Sequence, residues 1–113
     1  MTGSFVWFDL RTTDHGRAQE FYEQLLGWEF GAEDGGPTMV NGNDGPWALV
    51  ADAPGDESFW LPYVRVDDVD AATKSAVELG ATVRQEKTAG PAGTFCVIAD
   101  PTGAEVALWQ AAA

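Results

Sequence analysis

One cysteine, Cys96, and one histidine, His15, are the only thiol and the only imidazole that these 113 residues contain. A lone thiol cannot close an internal disulfide, so a reducing compartment, the cytoplasm, is expected. Basic residues are also scarce: six Lys and Arg stand against eighteen Asp and Glu, leaving a formal charge of −12. A field of that sign repels phosphate backbones and anionic lipid surfaces and favours cationic partners. Nucleic acid and membrane are therefore not expected partners. No apolar run approaches the roughly 20 residues of a membrane helix, and residues 1–9 show neither the basic flank nor the cleavage site of a secretory signal. Thirteen glycines and six prolines fall short of a low-complexity composition. What is present, 45% apolar and 21% charged residues, suits one soluble domain with one core.

The run FVWFDLRT, Phe5 to Thr12, places apolar residues at Val6, Phe8 and Leu10, a period of two that predicts a strand. Asp14 then caps a predicted helix to Leu26, with Ala18, Phe21, Tyr22, Leu25 and Leu26 at helical spacing and Gly27 as its stop. Trp28 to Phe30, Thr38 to Val40 and Trp47 to Ala51 are short strand candidates between turn-forming clusters. After DAPGDES the order starts again: LPYVRV, a capped helix in DDVDAATKSAVELG, then ATVRQ, TFCVIA and EVALWQ as strands. Aligning Asp14 with Asp68 or Asp67, and Gly45 with Gly103, brings the two halves into step. The expectation is an α+β fold of two tandem β-α-β-β-β modules, residues 1–57 and 58–113, forming a curved, mostly antiparallel sheet around a cleft.

Each module has one helix, so one sheet face is covered and the other is left over. Alternation assigns the faces. Val6, Phe8 and Leu10 suit the helix side of the first strand, leaving Trp7, Asp9 and Arg11 for the cleft. On the matching strand Val64 and Val66 suit the helix, leaving Leu61, Tyr63 and Arg65. On the last strand Val106 and Leu108 pack inward, leaving Glu105, Ala107 and Trp109.

The repeat, the spacing D-x(6)-FY-x(4)-GW in TTDHGRAQEFYEQLLGW, the segment VRVDDVDAATKSAVELGA and the closing DPTGAEVALWQ resemble the vicinal-oxygen-chelate superfamily, the glyoxalase, bleomycin-resistance and dioxygenase proteins. The resemblance spans nearly the whole chain and implies that fold. In metal-using members it would place a His seven residues before the capping Asp, another on the matching strand, and a Glu four residues after each turn Gly. Those positions here hold Trp7, Leu61 (or Trp60 one residue earlier), Leu49 and Ala107. A divalent ion needs converging N, O or S donors, so neither a metal nor another cofactor is expected. His15 suits an exposed first helical turn and Cys96 a core position.

Among metal-free relatives the resemblance points to drug-sequestering proteins of the bleomycin-resistance type, acidic homodimers that hold a flat cationic antibiotic. Five Trp agree with that class. Trp7 and Trp109, with Trp47 and Tyr63, are the candidate aromatic walls. Asp9 and Glu105 would orient a positive group, Arg11 and Arg65 would pair with them or meet a ligand oxygen, and Leu49, Leu61 and Ala107 would floor the site. Trp28 and Trp60 are assigned to packing. The competing expectation is a lyase, isomerase or dioxygenase of the same superfamily. It would act without metal through Asp9 or Glu105 as acid or base, or with a metal held by Asp9, Glu105 and His15.

Overall fold

The computed structural model describes residues 3–32, 35–90 and 92–112. Among them are eight strands and two helices, in the order β1 (Phe5–Thr12), α1 (His15–Leu26), β2 (Glu29–Gly31), β3 (Met39–Gly42), β4 (Gly45–Asp52), β5 (Phe59–Arg65), α2 (Val69–Glu78), β6 (Thr82–Gly90), β7 (Gly93–Ala99) and β8 (Glu105–Ala111). The β-α-β-β-β order occurs twice, as the sequence predicts. The chain divides into two compact units, Trp7–Leu61 and Met1–Val6 with Pro62–Ala113. This division falls a few residues after the expected boundary at 57/58 and assigns the start of β1 to the second unit.

In the first unit the strand order is β2-β3-β4-β1. The β2–β3 and β3–β4 ladders are antiparallel and β1–β4 is parallel, with Phe8 beside Ala48 and Leu10 beside Val50. Side-by-side residues share a face, so Leu10, Val40, Ala48 and Val50, all buried, form one apolar layer. Helix α1 starts where the Asp14 carboxylate accepts the Arg17 amide at 3.0 Å and ends at Gly27 with φ 71°. Val6 is half exposed at 47%, although its alternation matches the buried positions.

The second unit repeats the arrangement as β5-β8-β7-β6, with β5–β8 parallel and the other two ladders antiparallel. Asp68 caps α2 by accepting the Ala71 amide at 3.0 Å, matching Asp14. Val66, Val69, Cys96 and Ile98 make the core beneath α2, with Ala72, Ala76, Val106 and Leu108 packed against it. Cys96 is thus a small apolar packing residue. The repeat extends to the turns: Gly45 and Gly103, paired in the sequence alignment, have φ of 108° and 101°, a region that a side chain disfavours.

The β7–β8 turn is fastened by Asp100, whose carboxylate accepts Thr102 Oγ1 at 2.7 Å, the Thr102 amide at 2.8 Å and the Ala104 amide at 3.1 Å. The Thr102 hydroxyl first, then the backbone amides, hold its pKa below the ordinary carboxylate value. A lowered folded-state pKa stabilises above the unfolded value and loses that contribution as pH falls through the folded one. Asp100→Ala should therefore flatten the acid limb of the stability curve below about pH 4, measured by urea unfolding at several pH values. A limb as steep as that of the parent would contradict the assignment.

Candidate functional site

On β1 the odd-numbered residues face away from the Leu10 layer. Asp9, only 4% exposed, is held there by its own strand neighbours. Trp7 Nε1 donates to Asp9 Oδ1 at 3.1 Å, and Arg11 Nη2 donates to Oδ2 at 3.5 Å. The spacing i, i+2, i+4 puts all three on one face because side chains alternate, and burial strengthens the charge-assisted contact. Leu49 stands beside Asp9 in the β1–β4 register, and Met39 beside Leu49. Four expected site residues of this unit, Trp7, Asp9, Arg11 and Leu49, therefore form one patch. Leu61 is wholly buried in the same unit.

Trp47 does not join them. The β3–β4 register shifts between Val40 and Asn41, so that Val40 pairs with Ala48 while Asn41 pairs with Pro46, leaving Trp47 as the extra residue. Such a bulge breaks strict alternation. The Trp47 ring lies edge-to-face on Phe8 at 6.1 Å and on Trp28 at 4.8 Å, and parallel to Trp60 at 6.5 Å. Tyr22 of α1 stacks on Trp28 at 4.9 Å, and its hydroxyl accepts Trp60 Nε1 at 3.1 Å. Trp47 is thus packing beneath α1, on the opposite face from Asp9, and Trp28 and Trp60 pack as the sequence predicts.

In the second unit, the face away from α2 carries Tyr63 beside Ala107 and Arg65 beside Trp109 across β5–β8, and Phe95 beside Trp109 across β7–β8. The Tyr63 and Phe95 rings are 5.5 Å apart. Ala107 is wholly buried and Tyr63 is buried, while Trp109 and Phe95 are half-buried. Gly93 opposite this row has no room for a side chain: a Cβ would lie 2.7 Å from Trp109 Nε1 and closer still to the Gln110 carbonyl oxygen. Glu105 carries a counter-charge, Arg84 Nε at 3.6 Å. Sequence reasoning missed Phe95, although the same alternation that buries Cys96 and Ile98 turns Phe95 and Val97 to this face. It also missed the Glu105–Arg84 pair.

The donor set does not fit a divalent ion. Trp7, Leu49, Leu61 and Ala107 carry no metal-binding group at the positions where the resemblance would draw one, and among the described residues no three His, Cys, Asp or Glu side chains gather to hold one. Asp9 is engaged by Arg11, Glu105 by Arg84, and His15 lies 2.7 Å from Asp52 with its side chain 46% exposed.

Comparison with known proteins agrees with this architecture. A family model described as a glyoxalase-like domain matches residues 6–109. CFP32 of Mycobacterium tuberculosis, provisionally named a glyoxylase, is 39% identical over 96% of this chain and 46% of its own length. The anthracycline biosynthesis protein DnrV of Streptomyces peucetius is 32% identical over 90% of this chain and 39% of its own. The chain therefore spans less than half the length of these curated relatives. Among solved structures, a Mn(II)-bound glyoxalase from Novosphingobium aromaticivorans superposes with a TM-score of 0.64 at 20% identity, over 94% of this chain and 38% of that one. The H200Q variant of homoprotocatechuate 2,3-dioxygenase from B. fuscum gives 0.68 at 19% identity, over 99% and 33%. No helix of the described residues is long and apolar enough to cross a membrane. Two β-α-β-β-β units in tandem and a family match along almost the entire chain lead to one conclusion: the protein belongs to the glyoxalase-like domain family of the vicinal-oxygen-chelate superfamily, with the glyoxalase/bleomycin-resistance fold.

Proposed function

We propose that this chain binds a flat aromatic small molecule without a metal, using the helix-free sheet faces that carry Trp7 and Trp109. The observation that carries this reading is what replaces the donors: Leu61 and Ala107 are wholly buried apolar groups, and the Trp7 indole is tied to a buried carboxylate. Indole and phenyl faces stack on planar rings, each pair contributing about 0.5–1.5 kcal/mol beyond area burial. Asp9 acts here as a positioning group that fixes the Trp7 ring and the Arg11 guanidinium. The relative named for anthracycline biosynthesis supports the ligand class, since anthracyclines are fused, planar ring systems. The overall charge of −12 supports a cationic member of that class. Asp9 and Glu105 each already face an arginine, so the attraction belongs to the summed field more than to one carboxylate.

Titration of the full chain with daunorubicin, which joins a flat chromophore to one ammonium group, tests the reading by tryptophan fluorescence. Saturable quenching at micromolar concentration is expected, weaker for the uncharged aglycone and weakened by salt. Quenching that never saturates would overturn it.

A further inference from the structure

The helix-free face of the second unit changes character along β8. Phe95 stands beside Trp109, Val97 beside Ala107 and Ala99 beside Glu105. Val97, Ala99 and Ala107 are buried, and two of the three are no larger than a methyl group, so the aromatic end is followed by a bare floor. Beyond that floor lies a charged bar. Thr82 of β6 pairs with Ala99 of β7, and Ala99 with Glu105 of β8, so the Arg84 side chain reaches Glu105 by crossing β7. Val83, its neighbour, turns the other way and packs on the core beneath α2. Four residues separate Trp109 from Glu105, about 13 Å of strand. We infer that the Arg84–Glu105 pair sets ligand specificity at this face, receiving an uncharged, hydroxyl-rich substituent such as a sugar on the stacked aromatic ring.

The inference rests on the aromatic-row reading given above and adds what the ring carries. The closest approach within the pair, Arg84 Nε to Glu105 Oε2 at 3.6 Å, is too long for a hydrogen bond. Among the described residues neither side chain has a second ion pair or a hydrogen bond, and both are partly exposed, at 52% and 34%. The guanidinium therefore keeps its N–H donors, and the carboxylate its acceptor sites, for a group arriving from solvent. A substituent of full charge meets an opposite and a like charge together at such a pair. A hydroxyl instead donates to the carboxylate and accepts from the guanidinium, and charge-assisted hydrogen bonds of this kind are roughly twice as strong as neutral ones. Gln85, beside Val97, brings a side-chain amide to the edge of the same floor.

Calorimetric titration of the full chain with 4-methylumbelliferyl β-D-glucopyranoside tests it against 7-methoxy-4-methylcoumarin, the same ring with a methyl group in place of the sugar. Neither probe carries a charge, so the overall field of the chain does not separate them. The glucoside should bind about tenfold or more tightly. Arg84→Met and Glu105→Ala alter a partly exposed surface pair and leave the core untouched. Each should bring the two affinities within about twofold of one another, and Trp109→Ala should weaken the glucoside. Equal binding of the two probes by the parent chain, or a glucoside preference kept by both folded pair variants, would overturn the inference. Daunorubicin quenching without a glucoside preference would sink this inference alone. Absence of both saturable quenching and coumarin binding would sink the aromatic-row reading and this one with it.

Discussion

Asp9→Ala is expected to destabilise the chain by about 3 kcal/mol, the lower end of the cost of removing one partner from a buried ion pair. Both side chains are nearly enclosed, Arg11 at 11% and Asp9 at 5% exposure, so solvent screening is weak. The 3.5 Å separation argues for the lower end of the range. Two groups lose this carboxylate together, the guanidinium of Arg11 and the indole N–H of Trp7. Asp9→Asn keeps an acceptor for Trp7 and should cost roughly half as much, about 1–2 kcal/mol, through loss of the charge-assisted contact. Thermal unfolding should show a Tm drop of roughly 10–20 °C for the alanine variant. A drop within a degree or two would mean that the row contributes little and that Asp9 is not what holds Trp7 in place.

The second large effect concerns ligand affinity. Trp109→Ala removes the half-buried indole of the second unit's aromatic row while leaving the core beneath α2 intact, because Trp109 and that core lie on opposite faces of β8. Loss of one full indole contact should weaken daunorubicin binding by at least tenfold, about 1.4 kcal/mol or more. Trp109→Phe should recover part of it. Gly93→Ala approaches the same ring from behind: its methyl would press on Trp109 Nε1 and the Gln110 carbonyl, so affinity and stability should fall together. Trp47→Phe, on the other face of its sheet, should leave affinity unchanged. Equal losses for Trp47→Phe and Trp109→Ala would show that fold damage, not ring contact, sets the affinity.

Much of this architecture could be read from the residues because local rules agreed with one another. Asp14 and Asp68 cap their helices by the same hydrogen bond, and the side chains around Leu10 and Val106 alternate between the helix side and the helix-free side, although Asp9 and Ala107 on the helix-free side are as buried as Leu10. Legibility failed where one strand carries an extra residue. The bulge opposite Val40 sends Trp47 beneath α1, and nothing in NGNDGPWALV announces it, since a bulge is fixed by the partner strand's register. Strand β6 shows the same limit. The sequence suggests a strand over 81–85, yet pairing continues to Gly90 through two register shifts, because the partner β7 supplies the ladder that local propensity in QEKTAG does not. Ion pairs such as Glu105–Arg84 were equally hidden, since they join residues far apart in sequence.

The most direct test is a calorimetric titration of the full chain with daunorubicin, run once in excess chelator and once with added Mn²⁺. The indole rows predict the same micromolar or tighter affinity in both, with one ligand heat and no dependence on the ion. Binding that appears only with Mn²⁺, or that is abolished by the chelator, would contradict the account.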